Sequence, residues 1–125
     1  MELSEIKFSE DHIWVLSMGN SLRLGLTEYA QEQLGEVIEF IPTEADSYID
    51  AGDTFGEIES QKAVVELVSP VSGTILSINE RIIDDPSIIN IDPYGRGWLV
   101  EVEPSDMEEL DNLMDEDAYD TFVEE

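Results

Sequence analysis

Strand-forming runs recur along this chain at intervals too short for long helices. Ile13-Trp14-Val15-Leu16, Leu22-Arg23-Leu24, Glu36-Val37-Ile38-Glu39-Phe40-Ile41 and residues 54–59, 63–68, 73–79 and 98–103 are rich in β-branched, leucine and aromatic side chains. Between them stand Gly19-Asn20-Ser21, Pro42, Gly52-Asp53, Pro70, Ser72-Gly73 and Asp92-Pro93-Tyr94-Gly95. Glycine and asparagine supply the backbone angles of tight turns, and proline ends a strand by removing a donor. Short strands broken by frequent turns predict a mainly β fold, a sandwich or small barrel. Gly52-Asp53-Thr54-Phe55-Gly56 and Val71-Ser72-Gly73-Thr74-Ile75 echo one another weakly, which suits a pseudo-symmetric barrel. Trp14 and Trp98 fall within strand patterns and are expected in or near the core.

Helical signals are few and peripheral. Thr27 is placed to cap a short helix over residues 28–34 that Gly35 closes. Ser105 and Glu108 have capping-box spacing ahead of Met107, Leu110, Leu113 and Met114, an apolar stripe expected to pack on the barrel. A last helical turn is expected over residues 115–122. The chain of 125 residues is read as one domain, 1–125, with 104–125 an acidic helical tail packed on it.

Charge excludes several functions. With 31 Asp and Glu against 5 Lys and Arg, the formal net charge is −26. Such a surface repels phosphate backbones, so nucleic-acid binding is not expected, and it steers toward basic partner faces. No apolar run approaches membrane-spanning length. The amino end lacks the basic and apolar regions of a signal peptide, so a cytoplasmic location, or an organelle matrix after loss of a leader, is expected; the protein is also expected to be a monomer. With no cysteine, any redox sulfur must come from a cofactor. His12 is the single histidine and has no obvious nucleophile beside it; zinc ligands are too few. Asp84-Asp85 and Asp115-Glu116-Asp117 lack the ligand alternation of a calcium loop and read as solvated turns. Gly95-Arg96-Gly97 is a fragment of a phosphate-binding pattern that opens no helix. No catalytic set emerges.

Lysine is what remains. The chain has two, Lys7 and Lys62. Lys62 stands between two strand-like runs, in Gly56-Glu57-Ile58-Glu59-Ser60-Gln61-Lys62-Ala63-Val64-Val65-Glu66-Leu67. A hairpin tip exposes its side chains, and the four-carbon stem gives reach to anything attached to the amine. A lone amine on an acidic body is an address for modification.

This segment resembles the attachment hairpin of lipoyl carriers; the methionines that biotin carriers usually place around their lysine are missing. Nearly the whole chain resembles the H-protein family of the glycine cleavage system. The matching stretches are Asp11-His12-Ile13-Trp14-Val15, the run Gly25-Leu26-Thr27-Glu28-Tyr29-Ala30-Gln31-Glu32-Gln33-Leu34-Gly35, the lysine hairpin, Ser69-Pro70-Val71-Ser72-Gly73, and Asn90-Ile91-Asp92-Pro93-Tyr94-Gly95-Arg96-Gly97-Trp98-Leu99. The resemblance implies a hybrid barrel-sandwich of two antiparallel sheets with short peripheral helices and a C-terminal helix. It implies lipoate amide-linked to Lys62, and a cleft formed by Asp11, His12, Ile13, Leu26, Thr27 and Glu66. The implied role is that of a carrier, not an enzyme. It moves an aminomethyl group from a pyridoxal-phosphate glycine decarboxylase to an aminomethyltransferase, with reoxidation by dihydrolipoyl dehydrogenase and loading by a lipoate ligase or lipoyl transferase.

Four positions depart from the family pattern. Gln61 precedes the lysine where valine is common, and Val64 and Val65 follow where alanine or serine is usual. Ile13 replaces the glutamate of a His-Glu-Trp run. That glutamate lines the cleft in the family and can hold the amine of the loaded arm; Ile13 cannot, and Glu66 is the remaining acidic candidate. The departure at Ile13 keeps a second reading open, an H-like lipoate-binding protein serving bacterial sulfur oxidation or another lipoate-dependent pathway.

Overall fold

A computed structural model describes residues 6–124. Residues 1–5 and 125, the ends of the expected domain and of its acidic tail, lie outside the described residues. In chain order the strands are β1 (Ile6–Phe8), β2 (Ile13–Ser17), β3 (Leu22–Leu26), β4 (Val37–Pro42), β5 (Tyr48–Ile49), β6 (Thr54–Ser60), β7 (Val64–Val68), β8 (Gly73–Ile78) and β9 (Val100–Pro104). Short helices punctuate them: α1 (Glu28–Leu34), α2 (Glu80–Asp84), α3 (Ile88–Ile91) and α4 (Glu116–Glu124), with a 3-10 helix over Met107–Asn112. The fold is mainly β, in two antiparallel sheets. The larger runs β1-β2-β3-β9-β8-β5 and the smaller β4-β6-β7.

The register follows the side chains. In β2, Ile13 and Val15 enter the main core between the sheets, while Trp14 and Leu16 join a second cluster with Ile6, Phe8 and Tyr119. Alternate residues point to opposite faces of a strand, so β2 is covered on both sides: by the small sheet within and by α4 without. Trp14 donates from Nε1 to the Pro93 carbonyl at 2.9 Å, which satisfies the one polar atom of a fully buried indole. The main core is closed by Phe55, Ile58, Leu67 and Ile75, each at most 2% exposed. Burying a side chain of this kind stabilises the fold by about 1.5–3 kcal/mol.

Three expectations need correcting. Trp98 lies before β9, not in it, although it does lie near the core, packed half-buried against the second cluster; Asn79, 6% exposed, donates to the carbonyls of Arg96 and Trp98 and holds that segment as a loop. The stripe from Met107 to Met114 is not an α-helix: the 3-10 helix carries Met107 and Leu110, Leu113 ends it, and Met114 bridges to Phe8; the cap is Asp106, which accepts from the Glu108 amide at 3.0 Å, not Ser105. Ser105 is instead drawn to the β7–β8 turn, where its amide donates to the Ser72 carbonyl. Glu109 also reaches that turn, accepting from the Ser72 amide and hydroxyl at 2.7 and 2.8 Å. These bonds hold the chain after β9 against the body.

The lysine hairpin and its cleft

Lys62 occupies the turn between β6 and β7, and it is exposed. The turn is built on Ser60, which is 5% exposed. The Ser60 amide donates to the Ala63 carbonyl at 2.8 Å, and its hydroxyl oxygen accepts from the amides of Lys62 and Ala63, each at 3.2 Å. Side-chain bonding of serine to nearby backbone is a usual way to close a tight turn. Gln61 anchors the tip from outside, its amide donating to the Glu36 carbonyl at 3.1 Å.

The far side of that anchor is α1. Thr27 caps it, accepting from the Ala30 amide at 3.2 Å, and Gly35 ends it at φ 76°, a left-handed angle that glycine adopts without strain. A Cβ built on Gly35 would stand 3.6 Å from Cε of Lys62, so the lysine stem runs beside the end of α1. Asn90 braces the junction: its amide nitrogen donates to the Gln31 side chain and the Gly35 carbonyl, each at 2.9 Å, and its oxygen accepts from the Val37 amide.

A cavity of about 320 Å3 opens between α1, β7 and the β1–β2 turn. Its apolar walls are Leu26, Ala30, Leu34, Val65 and Leu67; Asp11, His12, Tyr29, Gln33 and Glu66 supply the polar ones. Leu34 immediately precedes Gly35, so the cavity lies next to the root of the lysine stem. Small-molecule sites begin at about this volume and have this mixture of apolar wall and few polar groups.

Of the six residues expected to form the cleft, the structure brings together Asp11, His12, Leu26 and Glu66. Ile13 and Thr27 do not line it. Ile13 is wholly buried in the main core, paired across the strands with Leu26, and so sits beneath the floor. Thr27 is also wholly buried, its hydroxyl engaged by the Ala30 amide and the Tyr119 phenol. Glu66 is exposed, and strand alternation turns it outward with Val64, so it marks the rim.

Tyr119, unforeseen from the sequence, controls one wall. Its hydroxyl lies 2.8 Å from His12 Nδ1 and 2.7 Å from Thr27 Oγ1. Burial pushes the phenol up to about 12, so it keeps its proton at any ordinary pH. Burial likewise lowers His12 below 6.5, against a smaller opposing effect of Asp11. A neutral imidazole accepting at Nδ1 from the phenol, which in turn accepts from Thr27, satisfies all three groups and leaves Nε2 protonated. His12 adopts φ 68°, which for a non-glycine residue needs outside support. No local sequence signal points to Tyr119, because it meets His12 only after α4 docks. Tyr29, Ala30, Gln33 and Leu34 of α1 are likewise absent from the expected cleft; the spacing of Ala30, Gln33 and Leu34 on one helix face is the signal that points to them.

Two antiparallel sheets wrapped around one core, with a turn-borne lysine beside a small apolar cleft, define a barrel-sandwich domain of the carrier type. The sequence model of the family described as Glycine cleavage H-protein matches residues 6–125. A glycine cleavage system H protein of Staphylococcus haemolyticus is 44% identical over 122 residues, covering 98% of this chain and 97% of that one. That of Myxococcus xanthus is 42% identical over 120 residues, covering 96% and 93%. The crystal structure of a glycine cleavage system H protein from Mycobacterium marinum superposes with a TM-score of 0.88 at 32% identity, over 98% of each chain. The chain belongs to the glycine cleavage H-protein family.

Proposed function

We propose that this protein is the lipoyl carrier of a glycine cleavage system, modified on Lys62. The observation that carries the reading is the placement of Lys62: an exposed amine on a turn fixed by Ser60 and Gln61, with its stem beside the end of α1 and an apolar cavity adjoining. The residues suit the group. Leu26, Ala30, Leu34, Val65 and Leu67 offer an apolar wall for a hydrocarbon arm, and the polar rim offers partners to what the arm bears. When bound, lipoate supplies a dithiolane, the sulfur chemistry that a chain without cysteine lacks. The chain's own residues do the positioning. Ser60 and Gln61 fix the root, the cleft excludes water from one face, and the tether holds the carried group at high local concentration near a docked enzyme. The protein is then a substrate shared by a glycine decarboxylase, an aminomethyltransferase and dihydrolipoyl dehydrogenase, after loading by a lipoate ligase or lipoyl transferase, in the cytoplasm. The cargo is an aminomethyl group, and the functional unit is one domain with its acidic tail.

Co-expression with a lipoate ligase tests the attachment. The intact mass is expected to rise by one lipoyl group, and Lys62→Arg is expected to abolish the rise, since a guanidinium keeps the charge without a nucleophilic amine. A rise that survives Lys62→Arg would move the site elsewhere. A second reading, service to sulfur oxidation, rests on the sequence departure at Ile13 alone, since its side chain is buried in the core and lines no part of the cleft. Glycine–bicarbonate exchange by the lipoylated protein with a decarboxylase separates the two: exchange is expected, and its absence with a competent decarboxylase would favour the second reading.

A further inference from the structure

The chain has three arginines, Arg23, Arg81 and Arg96, and all three line one cavity. It measures about 500 Å3, is completed by Asn79, Asp92 and Trp98 among others, and shares no lining residue with the lysine cleft. We propose that it is a binding site for a small phosphate-bearing anion.

Internal ion pairing does not account for the convergence. Arg23 meets Glu101, and Arg96 meets Asp92, each through Nε alone and each at 3.4 Å. Strong charge-assisted bonds are shorter, near 2.7–2.9 Å, and often bidentate. The Arg96 pair is exposed, at 60% and 41%, and exposed pairs contribute little; the Arg23 pair is partly buried, at 29% and 25%, but is held by the one long bond. Arg81 has no ion pair among the described residues. The terminal nitrogens of all three guanidiniums therefore have no recorded partner among those residues, and their planar forks match phosphate oxygens. Even counting Glu101 behind Arg23, cations outnumber carboxylates here three to two, on a molecule of net charge −26.

The cavity is also preorganised. Arg23 lies 4.6 Å from the centroid of the Trp98 ring, which holds its guanidinium in place. Asn79 fixes the loop from Arg96 to Trp98 by two bonds and accepts from the Arg81 amide. The backbone amides of Gly95, Arg96 and Gly97 do not serve an anion. All three donate to Asp92, and a Cβ on either glycine would collide with that residue. The glycines are there so that the loop can wrap around Asp92, and recognition falls to the arginine side chains. The acidic body opposes any anion at long range, so affinity is expected in the range of Kd about 1 mM.

The probe is inorganic pyrophosphate, titrated into the full chain at ionic strength held constant with sodium chloride and followed by NMR at the arginine and indole N–H groups. Saturable shifts are expected at Arg23, Arg81, Arg96 and the Trp98 indole, with the Trp14 indole unmoved as the internal control. Arg81→Ala is expected to weaken binding about tenfold, one charged contact's worth, and Arg81→Lys to restore part of it. Arg81 makes no recorded side-chain bond, so neither variant should disturb the fold. The proposal is overturned if no saturable shift occurs, if Arg81→Ala leaves the titration unchanged, or if citrate shifts the same signals as strongly as pyrophosphate.

Discussion

His12 and Tyr119 are the residues whose chemistry most depends on one another. Removing the phenolic oxygen by Tyr119→Phe leaves the Thr27 hydroxyl and His12 Nδ1 without their shared partner. The expected cost is about 1–2 kcal/mol, read from the urea midpoint at unchanged slope. The histidine also imposes a pH dependence. Its folded pKa lies below 6.5 because burial disfavours the charged form. The unfolded chain therefore takes up the proton first as pH falls. Stability from this group is full above 6.5 and is lost as pH drops from 6.5 through the folded pKa. His12→Asn, with a side chain tolerant of the left-handed backbone, is expected to flatten that part of the pH–stability curve. An unaltered slope between wild type and variant would remove His12 from the account. Ile13 teaches a different lesson. The sequence shows that a carboxylate is missing from its usual place, but only the packed strands show that the isoleucine side chain belongs to the core and not to the cleft wall.

At the scale of elements, strands with clear alternation and turn-forming flanks were legible, as were α1 and its caps. The Gly19-Asn20-Ser21 hairpin, β4, β6, β7 and β8 lie where the residues place them, within a residue or two. What was not legible is short or depends on distant partners. β1 and β5 have three and two residues, too few for a period to show, and they exist because β2 and β8 offer them an edge. α2 and α3, at five and four residues, are likewise below any reliable helical signal. The stripe near residue 110 has helical spacing, yet Glu109 is drawn to Ser72 and the segment tightens into 3-10 geometry. Within the small sheet, Glu57 stands opposite Glu66 and Glu39 opposite Glu59. Like charges directly across a strand pair are destabilising. Glu57→Lys is expected to stabilise the protein by about 0.5 kcal/mol, more at low salt, as judged by thermal unfolding. A lower melting temperature would show that Glu57 has a favourable partner instead.

Taken whole, the molecule combines a well-closed core with an excess of 26 negative charges. Self-repulsion on that scale opposes the compact state and is screened by salt, the Debye length falling from about 10 Å at 0.1 M to about 3 Å at 1 M. The melting temperature is expected to rise with sodium chloride across this range in scanning calorimetry, while association with a basic partner face weakens. A melting temperature indifferent to salt would mean that the carboxylates are spaced widely enough to ignore one another. The bond between Tyr119 and His12 has one further consequence, and it concerns time. A ribosome makes the lysine hairpin, Ser60 and α1 well before it makes α4, so the turn that presents Lys62 has all its own bonding partners while Tyr119 is still to come. The support that holds His12, one of the lining residues of the cleft, is therefore set in place after the amine is already on display. During synthesis the order is first address, then brace.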